Sequence, residues 1–495
     1  MKFDIVIIGS GLGGLLCANI LGREGYSVCL IEKNSRLGGS LQSFRRKGCV
    51  FNTGLNYIES FDSGQILNQY FRYFGISENV SFRRLDEDGF DIISFPDGKY
   101  PLAIGHNNYI EQLRKFFPGE KQSLERYLKD IQGICASISL YNLSDKPFSI
   151  MGCESLGVGA AAYLKSVIKN PRLCNVVAGN NLMYSGDASK TPLMIHALIS
   201  NSFVESAWRI VDGSNRMISI LANNITAAGG TIIKKTRAVK LTTGNNRVKT
   251  VILENGEEIE AEFFISNTHP DQLLSMTDYF KPSGAFAQRM SSLTDTIGMF
   301  TLYIVFKKDS FPCLNYNFYH YNQDNVWIAG EYDVSKWPQG YLFMPTATSR
   351  SGDYAESASV ITYMSYDEVS EWKSTITGRR GDRYLDFKRN KGEILLNDLE
   401  RHFPGIRSCV DTFYTSTPLT WRDYTGTRSG SAFGLMKDFN KPMESIVLPR
   451  TKIPNLFLTG QNINFHGILG VTISAVLTAG EITDINKLIR KIKNS

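Results

Sequence analysis

The clearest pattern of hydrophobic and polar positions stands at the N-terminus. Asp4-Ile5-Val6-Ile7-Ile8 is a short β-branched apolar run, which predicts a buried parallel strand. Leu15, Leu16, Ala18, Ile20 and Leu21 then recur at helical spacing up to Arg23, and Gly25 closes the run. Ser27 to Ile31 predicts a second strand that ends at Glu32. Together they predict one strand–turn–helix–strand unit.

Beyond it the pattern is less regular. Phe90 to Lys99 predicts a strand and turn, and Tyr109 to Ile134 a helix interrupted at Pro118-Gly119. Residues 151–204, rich in Ala, Leu, Ile and Gly, predict helices around an apolar space. Ser219 to Asn224 predicts a helix, Gly229-Gly230 its stop and Thr231 to Leu241 a strand. Val248 to Phe264 predicts a hairpin around Glu254-Asn255-Gly256. Aromatic, β-branched runs in 298–365 predict an antiparallel sheet. Asn455 to Gly460 predicts a second buried strand, followed by a glycine-rich apolar helix. The fold class is α/β, and α+β overall.

Composition narrows the function classes. The 495 residues are 42% hydrophobic and 21% charged, which excludes a disordered, collagen-like or small disulfide-rich chain. Net charge is +6 with scattered basic residues, which is no nucleic-acid signature. Small basic clusters, Arg45-Arg46-Lys47 and Lys487, Arg490, Lys491 and Lys493, read as solvated faces; the sharper reading is attraction to an anionic membrane surface. The eight cysteines lack C-x-x-C pairs, which argues against a zinc site or a disulfide framework. Cys17 and Cys29 fall in apolar runs and read as buried thiols. Met1 leads straight into the first strand without a signal-peptide pattern, so the expected setting is reducing and cytoplasmic. The longest uncharged stretch, Ile453 to Gly480, is broken by Pro454, Gln461, Asn462, Asn464 and His466, which predicts a core helix rather than a membrane span.

The turn after the first strand carries the chemistry. Gly9-Ser10-Gly11-Leu12-Gly13-Gly14 sets Gly9, Gly11 and Gly14 at G-x-G-x-x-G spacing. Such glycines permit a tight turn, approach of the backbone to a pyrophosphate and close helix–strand packing, while the helix N-terminus offers unpaired N–H donors. Glu32, at the end of the second strand, suits a ribose diol. Strand, turn, helix, strand and acid all fall in place, so the unit predicts dinucleotide binding. Gly38-Gly39-Ser40 just beyond supplies a second place for the chain to pass close to a cofactor, as FAD requires.

With these motifs the chain resembles phytoene-desaturase-type flavoproteins, and most nearly their retinol saturase-like branch. The resemblance also rests on Phe51-Asn52-Thr53-Gly54, Leu458-Thr459-Gly460-Gln461 and Gly467-Ile468-Leu469-Gly470, with scattered blocks such as Phe95-Pro96-Asp97-Gly98 and Thr417-Pro418-Leu419-Thr420 between them. It implies a Rossmann-like FAD-binding domain assembled from 1–84, 205–290 and 412–495, and a mixed-sheet and helical substrate domain from 85–204 and 291–411. It implies that Gly9, Gly11, Gly14 and Glu32 hold the ADP half of FAD, and that Gly38, Gly39 and Ser40 lie beside the pyrophosphate and flavin. By the same resemblance Val239 presents its backbone to the adenine, and Gln461, Asn462 and Ile468 border the ribityl chain and flavin ring. Asn52 and Asn462 depart from the acidic residues common in the family, Asp212 from a glycine and Asn56 from a histidine; the last puts a retinoid identity in question.

The implied activity is hydride transfer between flavin and a lipophilic conjugated polyene, as saturation, desaturation or isomerisation. His466 is the candidate proton donor, weighed against a satisfied core histidine; Tyr57, Trp421 and Tyr424 are candidate pocket residues and His269 a structural one. Gly157-Val158-Gly159 lacks a preceding strand, so no second nucleotide fingerprint is present. Electrons are expected to pass through a partner that reaches the flavin itself: a quinone, oxygen or transiently bound NAD(P)H. Two alternatives share the architecture: an amine or protoporphyrinogen-type oxidase, and a non-catalytic prenyl- or lipid-binding protein.

Overall fold

The computed structural model describes residues 1–144, 153–280 and 284–495. The opening pattern folds as its periodicities demand. Lys2–Ile8 is a strand whose last four residues are buried, Leu12–Arg23 a helix, and Val28–Glu32 a strand buried at every position. The first strand lies parallel to the second, with Ile7 opposite Leu30, and parallel to Glu258–Ser266 on its other side, with Ile7 opposite Ile265. A seven-stranded sheet grows from this centre. Its order is Thr231–Lys234, Val28–Glu32, Lys2–Ile8, Glu258–Ser266, Arg247–Leu253 and Ala238–Gly244, and Leu456–Leu458 also pairs with Glu258–Ser266. Both faces of the central strands are covered, hence their continuous apolar sequences.

The expected single strand Thr231 to Leu241 is two strands. Thr231–Lys234 ends one edge of the sheet and Ala238–Gly244 the other, and Lys235, at φ +60°, turns the chain between them. A polar turn without glycine or proline left no mark in the hydrophobic pattern. The 247–266 hairpin is antiparallel as expected.

A second seven-stranded sheet runs Val410–Ser416, Gly298–Phe306, Ser357–Met364, Gly340–Pro345, Asn317–Tyr321, Asp91–Phe95 and Gly98–Leu102. It is antiparallel except where Asn317–Tyr321 meets Asp91–Phe95. Phe90 to Lys99 enters it as the expected strand and turn, and Gly98–Leu102 completes a hairpin. Val410–Ser416 straddles the expected boundary at 412 and pairs with Gly298–Phe306. A small sheet of Tyr57–Glu59, Ala207–Ile210 and Phe82–Arg84 connects segments far apart in sequence.

The apolar stretch before residue 205 forms Ala160–Val167, Pro171–Val177 and Leu193–Glu205; residues 151 and 152 lie outside the described residues. Gly467–Gly480 is the expected final apolar helix; it packs on Leu12–Arg23, and Val471 to Ala479 are buried throughout. The basic tail is a further helix, Ile485–Lys493, whose Leu488, Ile489 and Ile492 are buried and whose Lys487 and Lys491 pair with Glu24. Cys17 and Cys29 are buried, and burial raises both thiols to about 12. Among the described residues no helix is long and apolar enough to cross a membrane.

Candidate active site

The glycine turn is shaped by close backbone approach. A Cβ on Gly14 would lie 2.0 Å from the Gly9 carbonyl oxygen, and one on Gly13 would lie 2.8 Å from the Gly460 Cα. Gly11 is the N-cap of the opening helix, and no side chain caps it, so the first-turn amides face outward. The second doublet docks on the first turn. The Gly38 amide donates to the Ser10 carbonyl at 3.0 Å, and a Cβ on Gly39 would lie 3.2 Å from the Gly11 Cα. Glu32 is buried. Its Oε2 accepts from the Ser10 amide at 3.0 Å and the Ser10 hydroxyl at 2.6 Å, and its Oε1 accepts from the Asn34 amide at 2.8 Å. Glu32 therefore braces the turn from the second strand.

A cleft opens along these groups. Gly9, Gly11, Glu32 and Ser40 line one side, and Gly460, Gln461 and Asn462 the other. Arg237 and Ala238 line one end of it, whereas the side chain of the next residue on that strand, Val239, is 40% exposed. Ile468 is buried in the first turn of the final helix, and Val471, one turn on, faces the cleft. His269 lies at the cleft but is held structurally, its Nε2 2.9 Å from Asp295 Oδ1 and its Nδ1 accepting from the Asp271 amide.

The loop that leads into the final helix is short of partners. Asn462 Oδ1, both side-chain polar atoms of Asn464, and His466 Nδ1 are buried without a hydrogen bond. Buried polar atoms ordinarily find partners. Of these, Asn462 lines the cleft, where a polar ligand with ribityl hydroxyls has the chemistry to supply its partner. Lys437 steadies this loop from behind: buried, it donates to the Ile463 carbonyl at 2.6 Å, and burial together with Arg289 lowers it to about 7. The helix N-terminus, the acid on the second strand and the unpartnered Asn462 amide oxygen fit FAD.

His466 is the N-cap of the final helix, with the Phe433 ring beside it. Burial and the nearby Lys437 lower it to about 3, so its imidazole is neutral. On the other side of this loop lies an apolar cavity of about 40 Å³, lined by Ile195, Leu198, Phe465 and Leu469 with four polar groups: Glu59, Tyr141, Ser202 and His466. Glu59 was not singled out by sequence. Burial raises its carboxyl to about 7, against hydrogen bonds from its own amide and that of Leu469, so it keeps an acidic proton up to near-neutral pH. A hydrophilic residue in a short strand gave no signal of that.

Tyr57, two residues earlier on the same strand, is buried. Its hydroxyl lies 2.5 Å from that of Tyr319 and donates to Asp91 Oδ2 at 3.2 Å. Asp91 also accepts from Asn317 at 2.8 Å, and burial raises it to about 7.

A groove of about 1070 Å³ lies on the far side of Gly39 and Ser40, bordered by Thr53, Trp421 and Tyr424. It thus gathers Trp421 and Tyr424 but not Tyr57.

A strand–turn–helix unit with its cleft at the carboxyl end of a parallel sheet, bordered by a loop suited to a flavin, defines a flavoprotein oxidoreductase with FAD as its dinucleotide. Residues 12–483 match the flavin containing amine oxidoreductase family, to which the chain belongs. It is 25% identical to the all-trans-retinol 13,14-reductase of Rattus norvegicus over 98% of this chain and 86% of that protein. It is 22% identical to the chloroplastic prolycopene isomerase of Daucus carota over 97% of this chain and 80% of that protein. The solved cyclohexylamine oxidase from Brevibacterium oxydans IH-35A shares the fold, with a TM-score of 0.62 at 14% identity over 100% of this chain and 99% of that one.

Proposed function

We propose that the enzyme moves a hydride between FAD and a lipophilic conjugated polyene of the retinoid or carotenoid kind. The observation that carries this reading is the loop 460–469. It turns Gly460, Gln461 and Asn462 toward the dinucleotide cleft, and Phe465, His466 and Leu469 toward the apolar cavity. Relatives that span almost the whole chain are named for retinol and prolycopene, which supports a polyene.

In this reading Gly9, Gly11 and Gly14 bring the helix N-terminus to the pyrophosphate, and Glu32 holds the ribose. Gly38, Gly39 and Ser40 flank the pyrophosphate and flavin, the Val239 backbone meets the adenine, and Gln461, Asn462 and Ile468 border the ribityl chain and ring. Segments 1–84, 205–290 and 412–495 form the FAD domain, and 85–204 and 291–411 the substrate domain. FAD, when bound, supplies the hydride chemistry.

The chain's residues govern water and protons. Apolar walls from Leu193–Glu205 and Gly467–Gly480 line a cavity of about 40 Å³, which takes no more than one end of such a polyene and keeps that end dry. Saturating a double bond needs a proton as well as a hydride, and Glu59 holds one at its carboxyl up to about pH 7. Neutral His466 orients the substrate and offers no acidic proton. Tyr57 shares a strand face with Glu59, and with Asp91 it forms the polar layer behind it. The lipophilic substrate is delivered at a membrane surface, which the basic tail helix contacts.

The test is anaerobic mixing of the reduced holoenzyme with a panel of polyenes. Flavin reoxidation by one of them supports the reading and shows the direction. No reoxidation, together with peroxide formation from amines, overturns it in favour of an amine oxidase.

A further inference from the structure

The electrostatics of the large groove bear on where the electrons come from. Arg36, Arg46, Lys388, Arg389 and Arg407 line it, against Glu393 and Asp411. Both acids are engaged: Glu393 with Arg407 at 2.8 Å, and Asp411 with Lys47 at 2.9 Å. Arg36, Arg46, Lys388 and Arg389 have no carboxylate partner among the described residues. Lys388 is half-buried, over the Tyr384 ring and 3.4 Å from the Thr415 carbonyl, and burial and Arg380 lower it. A desolvated ammonium without an anion is an unfavourable arrangement that an anionic ligand would relieve.

Aromatic faces alternate with these cations. Phe44, Tyr414, Trp421 and the half-exposed Tyr424 line the groove, and Arg46 lies over the Phe44 and Tyr414 rings. The volume, about 1070 Å³, stands at the upper end for cofactor-sized ligands. The groove shares Asn34, Gly39, Ser40, Tyr424 and Thr425 with the dinucleotide cleft, so a ligand in it lies against the same wall as the FAD.

The three electron partners expected for such a flavoprotein differ in charge. A quinone and oxygen are uncharged and have no use for four cations that lack a carboxylate partner among the described residues. A pyridine dinucleotide carries phosphates for the cations and two ring systems for the aromatic faces. We infer that the groove is the binding site of the NAD(P)H class of reductant, held by Lys388, Arg389, Arg46 and Arg36 around its phosphates. This rests on the flavoenzyme reading above and specifies its electron partner. No second glycine fingerprint is needed, because side chains rather than a helix N-terminus receive the phosphates.

The test titrates the FAD-loaded full chain with NADP⁺ and with ADP-ribose by calorimetry, at low and high salt. Saturable binding that weakens with salt is expected. Arg389→Ala, at an exposed position that folding tolerates, weakens it about tenfold, and Arg389→Glu weakens it further. Flavin absorbance per chain stays unchanged in both. No saturable binding by the wild type overturns the inference, as does equal affinity in Arg389→Glu. If Arg389→Ala instead abolishes binding to phosphatidylserine vesicles and leaves NADP⁺ affinity intact, the cations serve a lipid surface and the inference falls. A wild-type chain isolated without flavin absorbance defeats the flavoenzyme reading separately.

Discussion

The dinucleotide cleft and the apolar cavity beyond loop 460–469 are built by different means. The cleft is a backbone site: helix amides, a carbonyl 2.0 Å from where a Cβ would stand, and a carboxylate that braces the turn. The cavity is a side-chain site, where burial sets the chemistry by holding Glu59 protonated and His466 neutral. A backbone site tolerates no change of residue where the chain passes closest to itself. A side-chain site keeps its fold and changes its proton affinity.

Substitutions at the two places sharpen that contrast. The largest effect is expected at Gly14→Val, whose side chain has no room beside Gly9. It costs on the order of 4 kcal/mol or more and abolishes flavin binding, to be read as flavin absorbance per folded chain and as thermal midpoint. Normal flavin content in that variant would break the account of the turn.

Glu59→Gln should leave flavin content intact and lower the reductive rate by on the order of 10²-fold. The wild-type rate falls as pH rises through about 7, because the carboxyl loses its proton there, and the variant loses that limb. The stability sign follows from the same shift. The folded carboxyl is raised above its unfolded value of 4.5, so its contribution is full below 4.5 and is lost as pH rises through about 7. Denaturation midpoints across that window should fall less steeply in the variant. An unchanged pH–rate profile would remove Glu59 from proton transfer.

The smallest effect is expected at Val239→Ser. The side chain is exposed and the proposed adenine contact is through the backbone, so stability stays within about 0.5 kcal/mol and flavin content does not change. A large loss of flavin would mean that the side chain itself holds the ring.

Legibility followed the same division. The strand Lys2–Ile8, the glycine turn, Glu32 and the final helix were readable because each leaves a local mark: β-branched runs, fixed glycine spacing, small residues at helical period. The break at Lys235 left none, since a polar left-handed residue interrupts no pattern. The Gly38-Gly39 doublet was readable as a close approach, but its immediate neighbour is the first glycine turn itself, at the Ser10 carbonyl. Glu59, Lys437 and Asp91 were not readable as special: their ionisation depends on what the rest of the chain packs around them.

By itself the sequence determined the strand–turn–helix–strand unit, the dinucleotide class of ligand and the apolar helix that closes the fold, because backbone geometry demands particular residues at short, fixed spacing. Only the tertiary structure decided that loop 460–469 lies between a polar cleft and an apolar cavity. It also decided which carboxyl keeps its proton and which cations gather beside Gly39 and Ser40 without a carboxylate partner among the described residues. Desolvation and charge balance are summed over segments hundreds of residues apart, and no local pattern encodes that sum.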